Sequence, residues 1–377
     1  MHNPQINALF RFIVHQLPSE VGKESRPENK MDNIMENIIE KERLVREYLD
    51  QGNKEAAIKL LFELVVDYAK EKNFEAAEAM RSRIFEIDAM ALSEIIRSGE
   101  IIEEEKSQTI DSGHREIYAK LYDSLSVEEA NTLYFALKKA TYQTGETISR
   151  QGDLKPRLYF INSGGIKVVY FMDDEEVYLK NVEPGQLAGE DTFFLTTLCT
   201  TSIVALCRTE LSCLDSDILN VWRTTSPLLE SKLYSFASKT DKIPDLLKAQ
   251  TIDRRRLRRI TLGGKATAHL MNLSDNQVGK PFTVHMGDIS RGGACFYVRI
   301  SKREAAGLLL GKRLRISYLP PQMGGPSHII EQSGTIVALR FHPFEDCAVS
   351  LKFDSPLPEV LLDQLEQIST PTQDFDY

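Results

Sequence analysis

The chain has 377 residues, 42% of them hydrophobic and 27% charged, with a formal net charge of -9. It is too apolar for a disordered chain, too long for one core, which rarely outgrows about 250 residues, and too acidic to coat nucleic acid. Two to three domains are predicted, and any phosphate-binding site must be local. No run of about 18 apolar residues occurs, so neither a membrane span nor stable membrane insertion is expected.

Residues 1–30 read as a flexible N-terminal extension. The opening MHNPQINALFRFIVHQLPSE lacks a basic start, and Arg11 and His15 interrupt its apolar run, so it is a poor signal peptide. An amphipathic surface helix is the alternative. Met31, where regular patterning begins, is a second candidate start of translation.

Residues 31–110 read as an α-helical domain. Ile34, Ile38, Ile39 and Leu44, then Ile58, Leu61, Leu64 and Val65, recur at helical spacing, and no proline falls between Pro27 and Pro156. Two segments echo each other, GNKEAAIKLL from Gly52 and KNFEAAEAMR from Lys72. Each places small alanines just after a turn-forming asparagine, which lets helices approach closely. The echo resembles the helical hairpins of tetratricopeptide proteins, although its spacing is about 20 residues rather than about 34. A private bundle fits as well. The expected role is docking of an unidentified protein partner or a homodimer contact, against a plain structural cap.

Residues 111–245 change texture. Ser126 followed by Glu129 reads as a capping box opening a helix. Short β-runs separated by turns follow: ETISRQGD, RLYFINSGG, IKVVYF, MDDEEV and YLKNVEPGQ. Helical patterning returns at DILNVW and PLLESKLYSFASK, and DKIPDLLKAQTI reads as a connector. The run from Gly145 to Asp153, the Gly164-Gly165 turn and EPGQLAGED together resemble the cyclic nucleotide-binding domain. That resemblance implies a jelly-roll-like β-roll with flanking helices. It also implies a cassette in which backbone N–H groups near Gly189 hold a cyclic phosphate, Glu190 binds the ribose 2′-hydroxyl and an arginine neutralises the phosphate. Here the arginine position falls on Cys199, which cannot supply a bidentate cation. Thr200, Thr201 and Ser202 follow it and offer hydroxyls without charge. Binding of cAMP or cGMP, a degenerate relay module and a different small ligand all stay open, with Glu190 as a plain structural acid beside them.

Residues 246–368 are β-rich. KATAHLMNL, FTVHMGDIS, GACFYV, KRLRISYLP, IIEQSGTIVALRF and CAVSLKF are six candidate strands, enough for a small closed barrel, followed by the helix PEVLLDQLEQI and a polar tail at 369–377. A basic run precedes the strands, with Arg254, Arg255, Arg256, Arg258 and Arg259 in an acidic protein. So many guanidiniums must be solvated, paired or waiting for an anion. Arginine bonds phosphate bidentately, stacks on flat rings and pairs with the O6/N7 edge of guanine. Further on, Asp288 can accept from the N1–H and N2–H2 edge of a guanine, Ser290 can meet phosphate or backbone, and Gly292 and Gly293 would permit a tight turn of positive φ.

Arg255 to Arg259 as RxxxR, then Asp288, Ser290 and Gly293 as DxSxxG, resemble the PilZ family over roughly residues 250–368. The resemblance implies a six-stranded barrel that binds cyclic di-GMP, with Arg254, Arg255 and Arg259 gripping phosphates and guanine edges and the DxSxxG loop framing a guanine. A solvated linker beside an ordinary hairpin turn is the bland reading. A DNA-binding arm is disfavoured, because no helix-turn-helix, zinc or RNP pattern accompanies the run.

The expected architecture is therefore multidomain α+β: a helical bundle, a central β-roll and a C-terminal barrel. The seven histidines show no HxH or HExxH spacing, and no GxSxG or Walker pattern occurs, so neither an enzyme nor a metal or cofactor is expected. Five cysteines without a CxxC pair read as free thiols of a cytoplasmic protein.

Overall fold

The computed structural model describes residues 28–172, 175–239, 242–249, 258–272, 274–300, 307–320, 329–342 and 346–368. Residues 1–27 of the N-terminal extension, the tail and Arg254 to Arg256 lie outside the described residues, and residues 28–30 open a helix. The chain divides into two units, Met1–Thr109 and Ile110–Tyr377.

The first unit is helical: α1 (Glu28–Asp50), α2 (Lys54–Lys70), α3 (Phe74–Ile87) and α4 (Leu92–Thr109). The sequence echo is a repeated way of starting a helix. Asn53 and Asn73 are both N-caps, and their side chains accept from the N–H of Ala56 and of Ala76, each at 3.2 Å. In the residue before each cap the chain turns left-handed, at Gly52 (φ 73°) and Lys72 (φ 60°). Ala57, Ala69 and Ala77 then pack with no exposure beside Leu61, Leu64, Val65, Ile84 and Ile102.

The second unit opens with α5 (Ser112–Ile117), α6 (Ala119–Tyr122) and α7 (Val127–Ala136). The capping box at Ser126 and Glu129 forms as expected, with both reciprocal hydrogen bonds made. One sheet pairs β1 (Lys138–Tyr142), β9 (Thr209–Asp215), β3 (Arg157–Ser163) and β6 (Leu187–Ala188) in that order. The other pairs β2 (Thr147–Ser149), β8 (Ser202–Ala205), β4 (Ile166–Met172) and β5 (Glu175–Val182). Glu175 to Val177 of MDDEEV thus belong with YLKNV to one strand, β5, while Met172 ends β4. Strand β3 is buried on both faces. Leu158 and Phe160 meet the helices, including Trp222 of α9 (Ile218–Thr225) and Leu229 and Leu233 of α10 (Pro227–Ala237). Tyr159 and Ile161 face the interior between the sheets with Ile148, Ile166, Val168 and Ile203.

That interior holds a surprise for the sequence reading. The segment read as a connector contains a helix, α11 (Ile243–Ala249), whose Ile243 and Leu247 are 2% and 1% exposed and join the interior cluster of the roll. Seven residues give only two turns, too few for a periodic signal, and the helix is held by where those two side chains land.

The barrel consists of β11 (Lys265–Met271), β12 (Gln277–Ser290), β13 (Gly293–Arg299), β14 (Arg313–Tyr318), β15 (Ile330–Phe341) and β16 (Asp346–Phe353). The pairing runs β12-β11-β14-β15-β16-β13, and β13 pairs back onto β12, so the ring closes. A two-residue strand β10 (Ile260–Thr261) adds to β12, and α12 (Glu359–Ile368) packs its Leu365 into the barrel core. The six predicted strands are all present.

Roll and barrel are joined by more than the chain. A two-residue strand β7 (Thr196–Thr197) pairs with Leu339 and Ala338 of β15. β15 carries a bulge between Ile336 and Ala338, and the carbonyl of the bulged Val337 accepts from Leu198 N–H and Thr197 Oγ1, both at 3.1 Å.

His114 is buried at 4% exposure beside Tyr118, Tyr122 and Phe160. Its Nδ1 donates to Asn162 Oδ1 at 2.8 Å, while Nε2 has no partner among the described residues. Burial holds its pKa below the ordinary 6.5. The unfolded chain therefore takes up this proton first, so stability should fall as the pH drops from 6.5 towards the folded-state value, by up to about 1.4 kcal/mol per pH unit. Urea melts across pH 5–7 should show this slope, and His114→Gln should flatten it.

Candidate functional site

Two places gather the sequence-derived residues. The first is the rim of the barrel. Asp288 lies near the end of β12, Ser290 ends it and Gly293 opens β13, as the sequence indicated. Arg259 immediately precedes β10, and because Thr261 pairs with Asp288, the guanidinium is carried to that carboxylate. Its Nη1 lies 3.3 and 3.4 Å from the two Asp288 oxygens. Arg259 is 56% exposed and Asp288 27% exposed, so the pair sits open to solvent. Ser290 Oγ donates to Gly293 O at 3.2 Å and ties off the turn. Beside it, burial and the Asp288 charge push the Cys295 thiol up to about 11.

One expectation fails here. Neither Gly292 nor Gly293 takes a positive φ. Gly293 is needed for another reason: a Cβ there would stand 2.4 Å from the carbonyl oxygen of Leu351 on β16. Two further arginines meet the terminal helix, Arg258 with Glu366 and Arg291 with Glu359 at 3.6 Å. Sequence reasoning missed these carboxylates, which lie more than sixty residues away along the chain.

The second place is the roll interior. Gly189 has φ 82° and caps the short helix α8 (Glu190–Phe193), and a Cβ there would meet Arg157 O at 2.2 Å. It turns Glu190 inward, where Lys180 Nζ donates to Glu190 Oε1 at 2.8 Å. Both side chains are 11% exposed. The register is regular from Val182 to Lys180, and a bulge follows at Leu179. The pairing of β4 with β5 passes from Val168↔Lys180 to Val169↔Tyr178, so Lys180 stands opposite the buried Val168 and shares its face. Burial raises the Glu190 pKa, opposed by the Lys180 charge.

The remaining cassette residues are engaged. Cys199 is 7% exposed and its sulfur accepts from Ser149 Oγ. Its backbone is strapped to the Gly152-Asp153 turn by Gly152 N–H to Cys199 O at 2.7 Å and Cys199 N–H to Asp153 O at 2.9 Å. Thr200 Oγ1 donates to Asp191, Thr201 is buried, and Ser202 Oγ accepts from Gln151 N–H at 2.8 Å. The three hydroxyl residues therefore differ in availability, and none brings charge. A cavity of about 540 Å³ on the roll is lined by Ser202 and Gln151 together with Thr147, Arg150, Lys167, Phe171 and Val204. Thr147, Lys167, Ser202 and Val204 neighbour the inward Ile148, Ile166 and Ile203 along their strands, so the cavity, Ser202 included, belongs to the outer face of its sheet. The Lys180–Glu190 pair is on the inner one.

Residues 139–222 match the family model of the cyclic nucleotide-binding domain. The central region is of that type. Among curated proteins, the cAMP-dependent protein kinase type II regulatory subunit of Drosophila melanogaster is 34% identical over 82 residues, 20% of this chain and 22% of that one. The chain thus spans about a fifth of the curated relative it matches. Similar solved structures include the catabolite activator protein of Thermus thermophilus, 28% identical over 35% of this chain and 60% of that chain, with a TM-score of 0.29. A cyclic nucleotide-binding protein of Geobacter metallireducens is 18% identical over 34% and 95%, with a TM-score of 0.30.

In the helical unit, Phe85, Met90, Leu92 and Ile96 are more than half exposed. Among the described residues no helix is long and apolar enough to cross a membrane, and no His, Cys, Asp or Glu cluster could hold a metal ion.

Proposed function

We propose that the protein is a non-catalytic effector that binds cyclic di-GMP at the rim of a PilZ-type barrel and passes the event to the roll and the helical unit. The observation that carries this reading is the apposition of Arg259 with Asp288 beside the Ser290–Gly293 turn. A cation, an acceptor for a guanine edge and a glycine-opened strand converge at one solvent-open rim. Arg254 and Arg255 enter the same basic segment from the sequence. The path onward is short. Arg259 lies ten residues beyond the last residue of α11, and that helix is seated in the roll interior. Ligand that redirects the arginines bears on α11, and β7 on β15 offers a second path. The helical unit would present the altered surface to a protein partner.

Calorimetric titration of cyclic di-GMP into the full-length protein tests the binding, and small-angle scattering with and without ligand tests the relay. Absence of binding to folded protein removes the effector reading. Unchanged scattering at saturation removes the relay and leaves the receptor.

The buried Glu190 and the family match of residues 139–222 favour a second reading, in which the roll also takes a cyclic mononucleotide. A scaffold with two vestigial modules is the reading left if neither nucleotide class binds.

A further inference from the structure

A phosphodiester anion drawn from water into the roll interior needs a compensating charge, because an isolated buried ion costs far more than a hydrogen bond returns. The position where the cassette's arginine would stand is Cys199, whose sulfur is turned to Ser149. The hydroxyls of Thr200 and Ser202 already serve Asp191 and the Gln151 N–H. On the inner side, the cation beside Glu190 is Lys180, 11% exposed and set opposite the inward Val168 by the regular pairing of β5 with β4. Lys180 shares the inward face of Val182 two residues on, and the bulge at Leu179 lets that neighbour turn inward as well.

We propose that Lys180 supplies the positive charge for a cyclic nucleotide phosphate in this roll, doing from β5 what Cys199 cannot do from the cassette. The proposal rests on the second reading above, that the roll takes a cyclic mononucleotide. The ammonium is held by Glu190. When ligand enters, the phosphate shares Lys180 with Glu190, and the carboxylate accepts from the ribose hydroxyl. Lysine is a compact point charge with three donors, so it can serve both acceptors at once.

The test titrates cAMP, cGMP and adenosine separately into full-length protein, with thermal melts confirming that each variant is folded. Wild type should bind cAMP or cGMP. Lys180→Arg should stay within a few-fold, and Lys180→Met should bind about 10- to 100-fold more weakly, the loss of one charge-assisted contact. Adenosine, which lacks the phosphate, should bind wild type and Lys180→Met alike. Because Lys180→Met strands the Glu190 carboxylate, Lys180→Met/Glu190→Gln provides a better-balanced interior and should lose the cyclic nucleotide at least as completely. Equal cyclic nucleotide affinity in wild type and Lys180→Met overturns the proposal, as does adenosine binding wild type as tightly as cAMP does. If wild type binds no cyclic nucleotide and Cys199→Arg does, the roll is a nucleotide site and Lys180 is not its cation. If neither binds, the mononucleotide reading fails with the proposal. Cyclic di-GMP titrated into the same samples reports the barrel independently.

Discussion

Replacing Arg255 and Arg259 together with alanine should weaken cyclic di-GMP binding by two decades or more while leaving the melting temperature almost unchanged. The two halves of this expectation have different causes. Hydrogen bonds to charged groups contribute about 1.5–3 kcal/mol each, or roughly one to two decades in affinity per arginine. In the free protein the Arg259–Asp288 contact is long, at 3.3 Å, and more than half of the arginine is in solvent. Such pairs contribute only about 0–1 kcal/mol to stability. Calorimetry beside a thermal melt separates the two effects. A double variant that binds like wild type would remove the arginines from the site. One that melts far lower would make them structural.

The second large effect is on stability. Lys180→Met should destabilise the protein by about 3–5 kcal/mol, the cost of leaving one member of a buried ion pair without the other. Glu190 would then be a carboxylate at 11% exposure without its ammonium, in a setting that already pushes its pKa upward. The variant should regain stability as the pH is lowered, because a group whose folded pKa is raised stabilises the fold below its unfolded value and loses that contribution as pH rises through the folded one. Lys180→Met/Glu190→Gln should recover much of the loss at neutral pH. Urea titrations of both variants at pH 5 and pH 7 check this. A Lys180→Met protein as stable as wild type at pH 7 would show that water reaches Glu190.

How far the sequence reached depended on the range of the interactions involved. Local chemistry was legible. The Ser126–Glu129 capping box, the turns at Asn53 and Asn73 and the six barrel strands follow from residues a few positions apart. Asp288, Ser290 and Gly293 could be placed at a strand end because turn and strand signals are local too. What escaped depended on partners far along the chain. Alternation along EEVYLKNV puts Leu179 and Lys180 on opposite faces, and only the pairing with β4 shows that Lys180 stands opposite Val168 while a bulge takes up Leu179. Without it the lysine beside Glu190 is invisible. Helix α11 was read as a connector because two turns hold too few apolar residues to show a period. Gly293 was assigned to a φ requirement when the constraint comes from the Leu351 carbonyl, nearly sixty residues on. Strand β7 is two residues long, and nothing within it announces a partner on β15.

That two-residue strand bears on how the protein can be taken apart. The backbone that follows Glu190 in the roll also serves as an edge strand of the barrel, while Cys199 at its end is strapped to the Gly152-Asp153 turn. Cutting the chain between the modules therefore does not release two finished domains. The roll would keep an unpaired Leu198 N–H, and the barrel would keep the bulged Val337 carbonyl with nothing to accept. The two modules should unfold in one transition, and neither can be exchanged by recombination without a replacement for the other's missing edge.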